Sequence, residues 1–296
     1  TRDVDFADIL HVVDEINEKY GLHQDVECKE LRESLLEHEY GDSGRVRLAD
    51  FHDSALQGKW QFVESKAYLR QLGALDESDP SDPRVVVPNY IYSKSNCVAK
   101  SSLYSLCCIN ECEGLLGHLE RGLAKQDVSP QELAALVSNL PSSTVSAPRN
   151  LSQILLQRLD AVAALHHGSV PLHSRLFGQW MHHAYPRECP YPYLSGTTHP
   201  LTADQWTRAT GEKSVATRAE MRDHARNASR LKGQDSGDMT TVLHDPMEEL
   251  LPWSEEEELL YYPRVDEATG TGPWEWARAL LQVAAMIAAL SSMVVT

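Results

Sequence analysis

Apolar residues recur at helical spacing along most of the first 210 residues of the chain. From Phe6 to Ile16 they follow the i, i+3, i+4, i+7 pattern that lines one face of a helix. The same spacing predicts further helices, which lie at Val26–His38, Leu48–Leu56, Cys107–Lys125, Leu151–His166 and His173–Tyr185. We therefore predict a mainly α fold.

Two helix starts are marked by capping residues. Ser129 precedes Pro130 and stands three residues before Glu132, and Thr202 stands three residues before Gln205. Both arrangements are typical of the first turn of a helix. In contrast, Val85–Tyr92 is rich in β-branched and aromatic residues, and the proline within it limits it to a short or edge strand.

A short sequence repeat suggests paired helix–loop–helix units. Residues 44–48 and 168–172 both read Gly-x-Val-x-Leu between two predicted helices. In an EF-hand loop the glycine makes a sharp turn, and a β-branched residue two positions later bridges to a partner loop. We predict two degenerate EF-hand-like units in which Val46 and Val170 bridge backbone to backbone. The alternative is two unrelated turns that each contain a glycine.

The first of these loops offers few ligands for calcium. With Gly44 at the sixth position, the side-chain oxygens come from Glu39, Ser43 and Asp50 only. Calcium prefers six to eight oxygen ligands and a bidentate glutamate at the twelfth position. We therefore expect no calcium and no other cofactor, and a calcium-responsive regulator remains an alternative function.

The last part of the chain changes in composition. We predict a helical globular domain over 1–210, an extended polar and acidic arm over 211–272, and a transmembrane anchor over 273–296. The arm contains an acidic block at 245–258. The anchor ends in 279–296, which has no charge, no proline and no glycine.

Residues typical of a membrane interface stand just before that apolar run. They are Trp274, Trp276 and Arg278. These residues and the run predict a single-pass membrane protein in contact with lipid, and a buried core helix is the alternative.

The six cysteines give information on the redox state of the compartment in which the protein is found. Five lie in two patches and are our disulfide candidates, namely Cys97, Cys107, Cys108, Cys112 and Cys189. No Cys-x2-Cys pair of the kind that zinc sites prefer is present. An even, clustered set favours disulfides in an oxidising compartment over reduced core thiols. We predict that Cys189 bonds one of the other four.

The charge balance limits the partners. Lys and Arg total 27 against 43 Asp and Glu, which gives a net charge of −16 and argues against nucleic acid. One basic feature stands out, an arginine at every fourth position in Arg218, Arg222, Arg226 and Arg230. This row could bind an acidic partner surface or anionic headgroups. Alternatively, it is a solvated helix neutralised by Glu220, Asp223 or the acidic block.

Motifs that could indicate an enzyme do not form a complete set. The string Gly-Asp-Ser-Gly at 41–44 matches a serine-protease nucleophile but lies in a helical context, so we interpret it as a turn. The histidines at 166–183 are expected on helix surfaces or at caps, and Cys107 or Cys108 with His118 lacks an orienting third group. We predict no enzyme, with a Cys/His-dependent redox enzyme as an alternative.

Three long strings resemble a group of proteins from dinoflagellates and related algae. They lie at 69–80, 96–120 and 170–192. The resemblance implies a plastid protein of the thylakoid membrane with its globular part in the lumen. It also implies an accessory subunit of photosystem I, with photosystem I and its antenna as partners. We therefore predict a non-catalytic, membrane-anchored subunit of a larger complex.

Overall fold

Short helices alternate with very short strands in this protein. The computed structural model describes residues 12, 21–58, 61–97, 107–123, 127–234 and 253–259, all in one compact unit. The helices are α1 Leu22–Leu36, α2 Leu48–Phe51, α3 Asp53–Leu56, α4 Lys66–Gln71, α5 Val87–Ile91, α6 Glu111–Leu123, α7 Pro130–Ser138, α8 Gln153–Leu165, α9 Arg175–Ala184, α10 Ala203–Thr210 and α11 Arg218–Gln234. The strands are β1 Arg45–Arg47, β2 Leu75–Asp76, β3 Arg84–Val86, β4 Asp127–Val128 and β5 Val170–Pro171.

Two small antiparallel sheets join these helices. The first has the order β1-β3-β2, and Val85 of its central strand lies opposite both Val46 and Leu75. The second pairs β4 with β5, so that Val128 lies opposite Val170. Each sheet therefore connects segments that are distant in sequence, and each contributes valines to a buried cluster.

Two apolar cores follow the order of the chain. The first core gathers side chains from α1, α2, α4, α5 and the first sheet, together with Trp206 of α10, around Phe51, Tyr68 and Leu69. The second core gathers α6 to α9 and the second sheet around Trp180 and Phe177. Burial of such aromatic side chains stabilises each core by roughly 1.5–3 kcal/mol per residue.

The turn before β1 contacts the segment after α9 very closely. Gly44 has a φ of +67°, and a Cβ built on it would lie 1.9 Å from the carbonyl oxygen of Pro186. Beside this contact, the Arg187 guanidinium donates to Glu39, with Nη2 2.6 Å from Oε2. The Gly-Asp-Ser-Gly string thus forms a turn, as predicted, and its last glycine is required by both backbone conformation and space.

The fold class predicted from the sequence is wrong. About half of the described residues are helical, and the sheets add a β component that a mainly α fold lacks. The predicted EF-hand pair is also absent from the described part, because Val46 pairs with Val85 and Val170 pairs with Val128. A strand two or three residues long leaves no periodic pattern, so local spacing could not reveal its distant partner.

The predicted membrane-spanning helix has no counterpart in the described ranges. Among their helices we find none that combines the length and the apolar character needed to cross a bilayer. The residues assigned to the anchor, 273–296, lie outside these ranges, and so do the interface residues Trp274, Trp276 and Arg278.

The predicted helix starts are confirmed. The Ser129 side chain accepts a hydrogen bond from the Glu132 N–H, and Pro130 opens α7. Thr202 and Gln205 form a reciprocal capping box at the start of α10. The predicted strand at Val85–Tyr92 is short, but it lies at the centre of its sheet and ends at Val86, because Pro88 already belongs to helix α5.

Candidate interaction surfaces

Helix α11 carries the arginine row, which is Arg218, Arg222, Arg226 and Arg230. Thr217 precedes the helix, and its N–H and hydroxyl both donate to the Glu220 carboxylate, at 2.6 and 2.9 Å. The Glu220 N–H in turn lies 3.3 Å from the Thr217 hydroxyl oxygen. These bonds lower the pKa of Glu220, and they satisfy amide groups that would otherwise have no partner at a helix start.

The inner face of α11 packs against α2 and α3. Met221 is buried in a small apolar cluster with Ala55 and Ala216. The His224 ring stacks on the His52 ring, with centroids 5.4 Å apart. The helix is therefore docked along one side, and its orientation about its own axis is fixed.

The outer face of α11 presents the arginine row to solvent. All four arginines are exposed. Four residues advance a helix by roughly 6 Å and turn it by about 40° beyond one full turn. The row therefore extends over roughly 18 Å as a stripe that winds slowly around the exposed side.

The acidic groups near the row neutralise it only weakly. Glu220 is engaged in the cap described above. Asp223 lies 3.4 Å from Arg226, and both side chains are more than 60% exposed. An ion pair of this kind contributes about 0–1 kcal/mol. Where the structure describes the acidic block, at 253–258, that block lies on a different helix.

A second surface is formed where residues 253–259, which we name the return segment, lie along α9. Ser174, just before α9, forms an antiparallel bridge with Leu259, and the Arg175 N–H donates to the Glu258 carbonyl at 2.8 Å. At the other end, the Trp253 ring packs against His183. The return segment is therefore held at both ends, by Ser174 and Arg175 at one end and by His183 at the other.

The calcium candidates are engaged in other contacts or separated by the fold. The Glu39 carboxylate binds Arg187 and accepts the Gly44 N–H at 2.6 Å. The Ser43 hydroxyl donates to the Tyr40 carbonyl at 2.6 Å, and Asp50 lies on helix α2. Among the described residues no cluster of three or more His, Cys, Asp or Glu side chains could hold a metal ion.

All six cysteines form disulfides. The pairs are Cys28–Cys108, Cys97–Cys107 and Cys112–Cys189. Cys189 thus bonds Cys112, one of the four partners that the sequence analysis named. A disulfide sulfur is not a nucleophilic thiolate, so the dyad of Cys107 or Cys108 with His118 has no thiol to use in this state.

The histidines at 166–183 do not all lie on the surface, as the sequence analysis expected. His182 and His183 are buried. Burial and the nearby Arg45 lower the pKa of His182 to about 3, and its Nδ1 lies 2.6 Å from the Cys189 carbonyl oxygen. His166 instead contacts Glu257 of the return segment, with Nε2 and Oε2 2.7 Å apart.

Sequence reasoning missed the residues that join distant segments. His52 and His224 stack although 172 positions separate them, and Trp253 and Glu257 were seen only as part of an acidic block. An aromatic residue followed by four consecutive glutamates was the available signal for the return segment. The histidine pair left no signal in the local pattern.

The comparisons with known proteins give no relative. No family model, no curated protein and no solved structure matches the chain. The resemblance to an algal group therefore stays a prediction, and so do the plastid and photosystem assignments that it implies.

Proposed function

We propose that this protein is a non-catalytic interaction subunit that binds an acidic surface of a partner protein through the arginine row. The observation that carries the proposal is the outward position of all four arginines on a helix whose other side is docked. Their positive charges are available at a surface. Glu220 is engaged in the helix cap, Glu257 contacts α9, and the exposed Asp223 pairs only weakly with Arg226.

Charge makes such binding selective. The protein has a net charge of −16, so its overall field repels acidic partners. Only a surface that brings acidic groups directly onto the row gains from short-range attraction, because charges beyond about 8–10 Å are screened at physiological salt. The row therefore favours a partner that presents several carboxylates close together along a stripe of matching length.

The alternative functions have less support. A calcium-responsive regulator would need Glu39 as a ligand, but Glu39 is paired with Arg187. A redox enzyme using the cysteine patches would need a thiolate, but the six sulfurs are paired with one another. An oxidising compartment agrees with that pairing.

The test compares two variants of the full chain in which all four arginines are replaced. Arg→Lys at 218, 222, 226 and 230 keeps the charge, and Arg→Gln at the same positions removes it. Binding is measured by fluorescence anisotropy with poly-L-glutamate as the probe. We expect the wild type and the Lys variant to bind, and the Gln variant to lose at least tenfold in affinity, with a loss of binding in high salt.

Two outcomes would overturn this proposal. Equal binding by the wild type and the Gln variant would show that the row is a solvated face. Binding to vesicles containing phosphatidylserine, without binding to poly-L-glutamate, would assign the row to lipid headgroups and not to a protein partner. Circular dichroism spectra of the variants check that α11 remains folded.

A further inference from the structure

The return segment is held first through its backbone. Gln179 on α9 donates from Nε2 to the Ser254 carbonyl at 3.3 Å and accepts the Ser254 N–H at its Oε1, at 3.2 Å. Arg175 Nη1 donates to the Glu256 carbonyl at 2.6 Å. Contacts of this kind bind any extended chain, as in the recognition of a peptide by main-chain hydrogen bonds.

Side chains of the segment add selectivity. One Glu257 oxygen accepts the Leu176 N–H in the first turn of α9, at 3.0 Å, and the other lies 2.7 Å from His166 Nε2. A Glu258 oxygen accepts the Ser195 N–H at 2.9 Å. Carboxylates are favoured here because the start of a helix has free N–H groups and a partial positive charge.

An aromatic residue anchors the other end. The Trp253 ring lies 5.6 Å from the His183 ring, centroid to centroid, and the Arg158 guanidinium lies over it at 4.9 Å. The same ring packs against the second core. The site therefore has two separated anchors, one aromatic and one acidic, with backbone contacts between them.

The groove that holds the return segment is formed along α9, which belongs to the second core. Arg175 is 4% exposed and Gln179 is fully buried, and both stand on the helix that carries Trp180 into the second core. Removing the return segment would take from these buried polar groups the partners that Ser254 and Glu256 supply. Groups that lose their hydrogen-bond partners are unfavourable at a partly buried site, so the groove favours an extended occupant that supplies a carbonyl and an N–H.

We propose that this groove is a peptide-binding site, and that an extended acidic segment of a partner protein can bind it in place of the return segment. The ligand has an aromatic residue followed, four and five positions later, by glutamates. The return segment then acts as a tethered competitor. A short tether gives an effective concentration in the millimolar range, so the partner must exceed that competition.

The experiment uses the full, oxidised chain and the labelled peptide acetyl-Trp-Ser-Glu-Glu-Glu-Glu-Leu-amide. The double substitution Trp253→Ala with Glu257→Gln weakens the return segment and leaves the groove unchanged. We expect this variant to bind the peptide at least tenfold more tightly than the wild type. The matched control is Glu255→Gln, an exposed glutamate of the same segment, which should bind the peptide like the wild type.

A changed peptide, a His166 variant and a second measurement complete the test. A peptide with lysine in place of the glutamate that corresponds to Glu257 should not bind. Adding His166→Ala to the double variant should weaken its binding of the unchanged peptide. If the double variant fails to fold, the wild type with millimolar peptide provides the test. Displacement of the return segment would release the Ser254 N–H from Gln179, so hydrogen exchange at the Ser254 amide should become faster. Equal peptide binding by the wild type and the double variant, or no binding by either, would overturn the proposal.

Discussion

The Nδ1 atoms of His52 and His224 lie 3.3 Å apart, and this contact can hold only one proton. The Nε2 of His52 lies 2.9 Å from the Glu64 carbonyl oxygen, which can only accept, so Nε2 carries the proton. Nδ1 of His52 then accepts from His224. Burial, the largest cause, lowers the pKa of His52 to about 4.

This arrangement predicts a loss of stability in mild acid. Between pH 6.5 and about 4 the unfolded chain protonates His52 and the folded chain does not. The stabilisation is therefore complete above pH 6.5 and falls as the pH drops, by roughly 3 kcal/mol in total. Urea unfolding at pH 7, 5.5 and 4 measures this loss.

A matched variant isolates the contribution of His52. The wild-type curve alone also contains the lowered pKa of buried His182, which acts in the same direction, and the raised pKa of buried Glu64, which acts in the opposite direction. His52→Gln keeps a donor for the Glu64 carbonyl and cannot take up the proton. We expect the wild type to lose stability relative to this variant as the pH falls, and parallel curves would contradict the prediction.

Gly44→Ala should destabilise the protein far more than Gly168→Ala. Both glycines have positive φ angles, but only Gly44 faces a backbone atom, the Pro186 carbonyl oxygen. The conformational cost is about 1–2 kcal/mol at either site, and overpacking adds roughly 1–3 kcal/mol at Gly44. Thermal unfolding of both variants checks the order, and equal losses would show that the turn can move away from Pro186.

Asp76→Asn should cost much more than Glu77→Gln. Asp76 pairs with Arg45 at 2.9 Å, and both side chains are at most 9% exposed. Burial alone would raise the pKa of Asp76, but the Arg45 charge lowers it below its usual value. Removing one partner of a buried pair costs about 3–5 kcal/mol.

The neighbouring pair provides the comparison. Glu77 bonds Arg70 and Lys66, whose side chains are 55% and 32% exposed, and each surface pair of this kind contributes about 0–1 kcal/mol. Chemical denaturation of the two variants measures both losses. A small loss for Asp76→Asn would mean that water reaches Arg45 and replaces the carboxylate.

Removing the Cys112–Cys189 bond should destabilise more than removing the Cys97–Cys107 bond. The first joins residues 77 positions apart and the second joins residues 10 apart. Loop-closure entropy gives about 4.5 kcal/mol for the first and about 2.7 kcal/mol for the second. Paired Cys→Ala variants measured by urea unfolding test this order. Mass spectrometry of the unreduced wild type should find no free thiol, and six free thiols would contradict the pairing.

The sequence was informative where structure is decided within a few residues. Ser129 and Thr202 start helices because their side chains satisfy amide groups three positions away, and this relation can be read directly. The arginine row falls on a helix as its spacing indicated. The disulfide partner of Cys189 was narrowed to four because only the five cysteines of the two patches were taken as disulfide candidates. Cys28 lies outside both patches and was missed, although it bonds Cys108.

What the sequence could not give depends on contacts between distant segments. The β1–β3 pairing joins Arg45–Arg47 to Arg84–Val86, and three residues are too few for a strand period to be recognised. The return segment reads as a polar arm, since its groove is made by residues far away on α9. The same holds for the His52–His224 pair, whose two members lie 172 positions apart in the sequence.

The disulfide connectivity affects the order in which the disulfide bonds can form during synthesis. The loop closed by Cys28–Cys108 ends before the loop closed by Cys112–Cys189 begins, and the Cys97–Cys107 bond lies inside the first. Synthesis begins at the N-terminus. The disulfides Cys28–Cys108 and Cys97–Cys107 can therefore form while most of the second core is still unsynthesised. Cys112 then waits as the one thiol without a native partner until Cys189 arrives.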